Sequence, residues 1–289
     1  VGTDLITRAI PLTDRYIDTG LEGEEVEAFG VDDIAQSLSF FAARPFGSFF
    51  KLTATYELDY VRYSRDQDTS SSFVTPTDTF VHNIEGRMDF NRRGTTVRLF
   101  ARYSQRSDWE PWGFPGSLLT PPQLASGFGE GSLLEEFDPD NEDYLRYGVN
   151  VSSLWNPTLL QTLRAELSWL QGEDLDRFSK YTFGTLGTTR LRGFGGSGIR
   201  FDQGFIGRGV YMFGLGSLMR LDTSIEYARV RERDLGKAEF LNFTGLGLAG
   251  NFTLPGGWMV RLDYGIGLVS DLDELEGDQE ILLQFLRIY

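Results

Sequence analysis

The chain has 289 residues, 40% hydrophobic and 14% aromatic, with a formal net charge of −15. That charge repels a phosphate backbone and argues against nucleic acid as a partner. The lack of cysteine excludes disulfides, thiol catalysis and thiolate metal sites, and no run of about 18 apolar residues offers a transmembrane helix.

The start, Val1-Gly2-Thr3-Asp4, lacks the basic head and apolar core of a signal peptide, so a cleaved signal or further upstream domains are expected before it. Residues 1–33 read as an N-terminal segment with a possible strand, Leu5 to Ile10, interrupted by Pro11. An acidic, solvated loop follows from Glu22 to Asp33. Residues 34–289 read as one β-barrel domain.

Clear alternation starts at Ile34, with Leu38, Phe40 and Ala42 on one face, and Arg44-Pro45-Phe46-Gly47 turns the chain. The next strand carries Phe50, Leu52, Ala54, Tyr56, Leu58 and Tyr60 on one side and Lys51, Thr53, Thr55, Glu57 and Asp59 on the other. Period two over such a length marks a strand with one apolar and one polar face, long enough to cross a bilayer. A polar loop over 64–79 precedes Phe80, His82, Ile84, Met88 and Phe90; Val97, Leu99, Ala101 and Tyr103 follow the turn at Asn91-Arg92-Arg93-Gly94. His82, the only histidine, lacks co-ligands and reads as a strand residue. Residues 108–142 are irregular. There Trp109 and Trp112 read as membrane-interface anchors or loop packing, and Asp138 to Asp143 as an exposed loop, since the glycine and terminal glutamate of a calcium loop are missing.

Further strands run through Leu145 to Val151, Leu163 to Trp169, Tyr211 to Leu215, Leu221 to Tyr227, Leu246 to Leu254, Trp258 to Ile266 and Ile281 to Tyr289, with polar loops at 231–239 and from Asp271 to Glu280. Short turns near 45, 93, 156, 216 and 256 alternate with long loops near 26, 70, 125, 185, 236 and 275. Outer-membrane barrels keep that rhythm, with short turns on the periplasmic side. Eleven strands are visible, and the even-number rule asks for a twelfth within residues 1–20. In hydrocarbon every backbone N–H and C=O must be paired, so a spanning sheet is expected to close on itself. The fold class is therefore all-β: a transmembrane antiparallel barrel of about twelve strands (sixteen if upstream strands are missing), apolar outside and charged within.

One stretch does not fit a wall. Arg190-Leu191-Arg192-Gly193-Phe194, followed by Gly195 and Gly196, lies in a long connection. With Phe183-Gly184-Thr185-Leu186-Gly187 before it and five strands to the terminal Tyr289 after it, residues 144 to 289 resemble the C-terminal barrel half of the BamA-like outer-membrane assembly and translocation superfamily, the bacterial surface-antigen barrels. The resemblance implies that this loop folds into the lumen and that Arg192 meets carboxylates of the wall. By position these are Glu226 and, on the same face of the strand, Asp222. It also implies that Phe285 and Tyr289 belong to a C-terminal strand signal, from which Arg287 departs. Arg208 departs as well, since the family carries an acidic residue nearby.

The function implied is assistance to proteins inserting into or crossing the bacterial outer membrane. The alternative is a closed structural barrel that anchors or binds partner proteins. Either way the expected partners are outer-membrane lipid and periplasmic or membrane proteins. No enzyme activity, cofactor or metal is expected.

Overall fold

The structure, a computed structural model, describes residues 2–12, 17–18, 25–26, 31–65, 74–110, 112, 142–176, 178–184, 189–195, 199–216, 218–234, 237–272 and 275–287. In chain order they form β1 (Gly2–Leu12), β2 (Ile17–Asp18), β3 (Glu25–Val26), β4 (Val31–Phe46), β5 (Phe50–Arg65), β6 (Thr79–Arg92), β7 (Thr95–Arg106) and β8 (Asp143–Trp155). There follow β9 (Gln161–Glu173), β10 (Tyr181–Thr182), β11 (Arg200–Phe201), β12 (Gln203–Leu215), β13 (Met219–Asp234), β14 (Lys237–Leu254), β15 (Trp258–Ser270) and β16 (Gln279–Arg287).

Twelve of these make one antiparallel sheet, in the order β1-β4-β5-β6-β7-β8-β9-β12-β13-β14-β15-β16. Each long strand pairs with its neighbours in sequence, which is an up-and-down meander. The strand sought within residues 1–20 is β1, paired with β4 from Gly2↔Phe41 to Leu12↔Val31.

Period two decides the faces. Ile225 is 58% exposed while the next residue, Glu226, is 1% exposed. Across four strands the row Phe40↔Tyr56↔Ile84↔Tyr103 is exposed on the same side. One face is thus an apolar skin and the other carries the charges. The inner face is not charged throughout, however. Ile206, Ala228, Val230, Leu241 and Phe243 are buried there, toward the long loops of β12, β13 and β14. They are apolar because the 174–202 insert covers them.

The sheet curls around that insert. Phe178 lies 5.1 Å, ring to ring, from Tyr63 of β5, and Arg190 bonds Glu280 of β16 at 2.8 Å. In a flat sheet, strands so far apart in order would stand roughly 43 Å from each other at ~4.8 Å per strand.

Two expectations are corrected. Among the described residues the ladder ends at β1 and β16, so these strands are edges and backbone pairing does not close the cylinder. Residues 231–239 are not a long polar loop: β13 runs to Asp234 and β14 starts at Lys237, paired with each other. Backbone ladders need no apolar face, so a hairpin of charged residues continues past the point where the apolar pattern stops.

Candidate functional site: the interior insert

The insert is fastened first at Asp176. Its carboxylate accepts the backbone N–H groups of Phe178 at 3.1 Å and Ser179 at 2.9 Å, which tightens a turn. Arg106, at the end of β7, grips the same carboxylate with both terminal nitrogens at 2.5 and 2.9 Å, and both side chains are buried. The Arg106 guanidinium lies 4.0 Å from the ring centre of Trp109, a cation–π contact. Phe178 sits edge-on to Tyr63, Trp109 and Trp112. Of the two expectations for these tryptophans, loop packing is the one seen.

From there the chain makes a two-residue ladder, β10 with β11. Burial pushes the Tyr181 hydroxyl up to about 12. Phe183, Leu191, Phe194, Ile199 and Phe201 pack on the apolar inner patch of β12, β13 and β14. Area removed from water is the driving force, at roughly 25 cal/mol per Å².

Arg192 then enters a nest of acids. Its backbone N–H donates to Glu226 at 3.0 Å. Its Nε and Nη2 donate to Asp263 at 2.8 and 3.1 Å, and its Nη1 to the Ser224 hydroxyl at 3.0 Å and to Glu226. Arg190 donates to Asp263 at 3.2 Å and to Glu280 at 2.8 Å. Burial works against the charge on Arg192, but the bonds to Asp263 and Glu226 outweigh it and hold its pKa above the ordinary arginine value. A buried guanidinium needs such partners, because a charge left alone in the interior costs several kcal/mol, about 3–5 when its partner is deleted.

The backbone of the motif needs room as well as charge. A Cβ on Gly247 would lie 2.1 Å from Arg192 Cδ, one on Gly265 2.7 Å from the Gly193 nitrogen, and one on Gly267 2.7 Å from Phe194 Cζ. These glycines of β14 and β15, with Gly245, form a bare patch on the inner face, and the motif lies flat upon it. Gly193 fits for a further reason: its φ of +85 is left-handed, where a side chain is strained.

Of the residues singled out in the sequence, the structure brings Arg190, Leu191, Arg192, Gly193, Phe194 and Glu226 together. It does not bring Asp222. That carboxylate bonds Arg220 at 2.8 Å and Asn251 at 3.0 Å, and pairs with Arg261 at 3.6 Å, nearer the short turns. Phe285 is exposed on β16; Tyr289 and Gly196 lie outside the described residues.

Sequence alone does not point to Asp263 and Glu280, because only strand register shows that they face the motif. Arg208, read as a departure, is a member of the network: it pairs with Glu166 at 3.3 Å and Glu226 at 3.0 Å and donates to the Arg190 carbonyl. The available signal was glycine spacing. Gly245 and Gly247, then Gly265 and Gly267, sit at alternate positions on the polar side of adjacent strands.

The arrangement anchors the insert to the wall. The insert stands between a cavity of about 670 Å³ that opens among Arg208, Arg220 and Arg261 and another of about 560 Å³ among Glu57, Arg98 and Arg102.

No family model matches the chain, and neither does any curated protein. Among solved structures it is similar to CdiB from Escherichia coli, at 13% identity and a TM-score of 0.59 over 88% of this chain and 45% of that one. It is also similar to CdiB from Acinetobacter baumannii, at 10% identity and a TM-score of 0.56 over 88% and 42%. The chain spans less than half the length of either. At such identity the likeness shows the fold, which is that of bacterial outer-membrane β-barrel proteins.

Proposed function

We propose that this chain is the wall and interior insert of a BamA-like barrel in a bacterial outer membrane, and that it assists proteins in inserting into or crossing that membrane. The observation that carries the reading is the seat of the Arg-Gly-Phe segment: Arg192 on Glu226 and Asp263, with its backbone against a patch of wall glycines. The exposed apolar skin, with Ile84 at 61%, supports lipid as its surroundings, since water would penalise so large a continuous patch. The fold likeness to CdiB supports the outer membrane as the place.

The reading predicts periplasmic domains in the full gene product and a seam between the first and last strands where clients pass. The test is a photo-crosslinking residue at Phe285, on the edge strand β16, in cells. Unfolded client chains captured there, varying with what the cell exports, support assembly or translocation. Capture of one constant partner and no client would instead favour the second reading, a closed structural barrel that anchors partner proteins. One observation speaks for that reading: the insert is held at two separate buried ion-pair sites, Asp176 and Arg192.

A further inference from the structure

The rim at the short turns carries a second built feature. The chain is strongly acidic, yet every charged residue in three neighbouring turns, 44–51, 90–95 and 152–164, is basic: Arg44, Lys51, Arg92, Arg93 and Arg164. Backbone bonds lace the three turns into one edge. The Asn91 N–H donates to the Phe49 carbonyl at 2.8 Å and the Leu154 N–H to the Gly94 carbonyl at 2.9 Å.

Between the turns lies a cavity of about 460 Å³. Arg92, Arg93 and Arg164 line it, with Thr95, Ser152 and Ser153; the Thr95 and Ser153 hydroxyls bond each other at 2.9 Å. No carboxylate lines it among the described residues. Arg164 is engaged by Glu166, which leaves Arg92 and Arg93 as the cations toward a ligand. Guanidinium donors without a competing acid suit a phosphate.

Depth is set by the neighbouring aromatics. Phe46, Phe49 and Phe50 are each about half exposed on this rim. The Phe50 ring lies 4.9 Å from Phe90, and the Arg92 guanidinium 5.7 Å from the centre of Phe49. Aromatic girdles sit at the level of lipid headgroups.

We infer that this cavity binds the phosphate of an anionic phospholipid in the leaflet facing the short turns, with Arg92 and Arg93 as its cationic ligands. The inference rests on the membrane reading above. A lipid without an ammonium group is favoured, because two guanidinium groups against one phosphate leave a positive surplus.

The full chain is refolded into nanodiscs of phosphatidylcholine, alone or mixed with phosphatidylglycerol, and the lipids retained after partial delipidation are weighed by native mass spectrometry. Wild type is expected to keep phosphatidylglycerol over phosphatidylcholine. The double variant Arg92→Gln/Arg93→Gln is expected to lose that preference, roughly fivefold for each arginine removed. The variant Arg92→Lys/Arg93→Lys, which keeps the charge, should retain most of it. Equal retention of the two lipids by wild type, or an unchanged preference in the glutamine variant, overturns the inference. Displacement of the retained lipid by inorganic phosphate alone would make the ligand free phosphate and overturn the lipid assignment. A chain that stays open to protease along its strands in every nanodisc would instead defeat the membrane reading itself, and this inference with it.

Discussion

A Cβ placed on Gly245 would lie 2.1 Å from the carbonyl oxygen of Arg192. Both atoms belong to backbone-fixed positions, so neither can swing aside as the tip of a side chain could. The wall strand and the insert were therefore fitted to each other at the level of main chain. Gly245→Ala should push the motif off its seat and destabilise the folded form by about 1–3 kcal/mol, the usual cost of overpacking. The heat-induced change in gel mobility measures this. A midpoint equal to that of wild type would refute the main-chain fit.

How much of this was legible in the sequence depends on whether a feature is local. The faces of β5 could be read because Phe50, Leu52, Ala54, Tyr56 and Leu58 alternate with polar neighbours, and alternation alone sets the pleat. The turns could be read from Gly47 and Gly94, whose φ values are positive. Pairing across strands could not. Asp263 reaches Arg192 only because β14 lies between β13 and β15 in a particular register, with Glu226 opposite Gly245 and Gly245 opposite Gly267. One step of slip would move all these side chains to the other face. Asp222 shares a face with Glu226, but four residues along a strand is roughly 13 Å, and the nearer arginines, Arg220 and Arg261, take it.

The two carboxylates can be separated by experiment. Glu226→Gln removes a charge that meets both Arg192 and Arg208 and should expose the 174–202 insert to protease. Asp222→Asn alters only contacts near the short turns, with Arg220, Arg261 and Asn251, and should leave the insert as protected as in wild type. Equal protection of the insert in both variants would contradict the assignment.

Arg192→Ala deletes a guanidinium that Asp263 and Glu226 share in the interior. The cost expected is about 3–5 kcal/mol, chiefly from leaving buried carboxylates without a partner. Arg192→Lys should recover only part of this, because an ammonium cannot match the two-nitrogen grip on Asp263. Adding Asp263→Asn to Arg192→Ala should cost less than the two single losses together, since the second change removes the stranded charge. Thermal midpoints of these three variants and of Asp263→Asn alone test the ordering.

The Asp176 anchor holds the same insert by other means. Arg106 is its partner and Trp109 stacks on that arginine. Asp176→Ala removes the carboxylate that accepts two hydrogen bonds from buried Arg106 and two from backbone N–H groups. A loss of about 3–5 kcal/mol is expected, and tryptophan emission should shift to the red as Trp109 and Trp112 meet water. Among the described residues the ion pairs Arg106–Asp176 and Arg192 with Glu226 and Asp263 use different side chains, so the losses from Asp176→Ala and Arg192→Ala should add within about 0.5 kcal/mol. A combined loss no larger than the greater single one would mean that the insert detaches as a unit when either anchor goes. The two seats would then act as one clamp, and only simultaneous engagement would hold the insert against the wall.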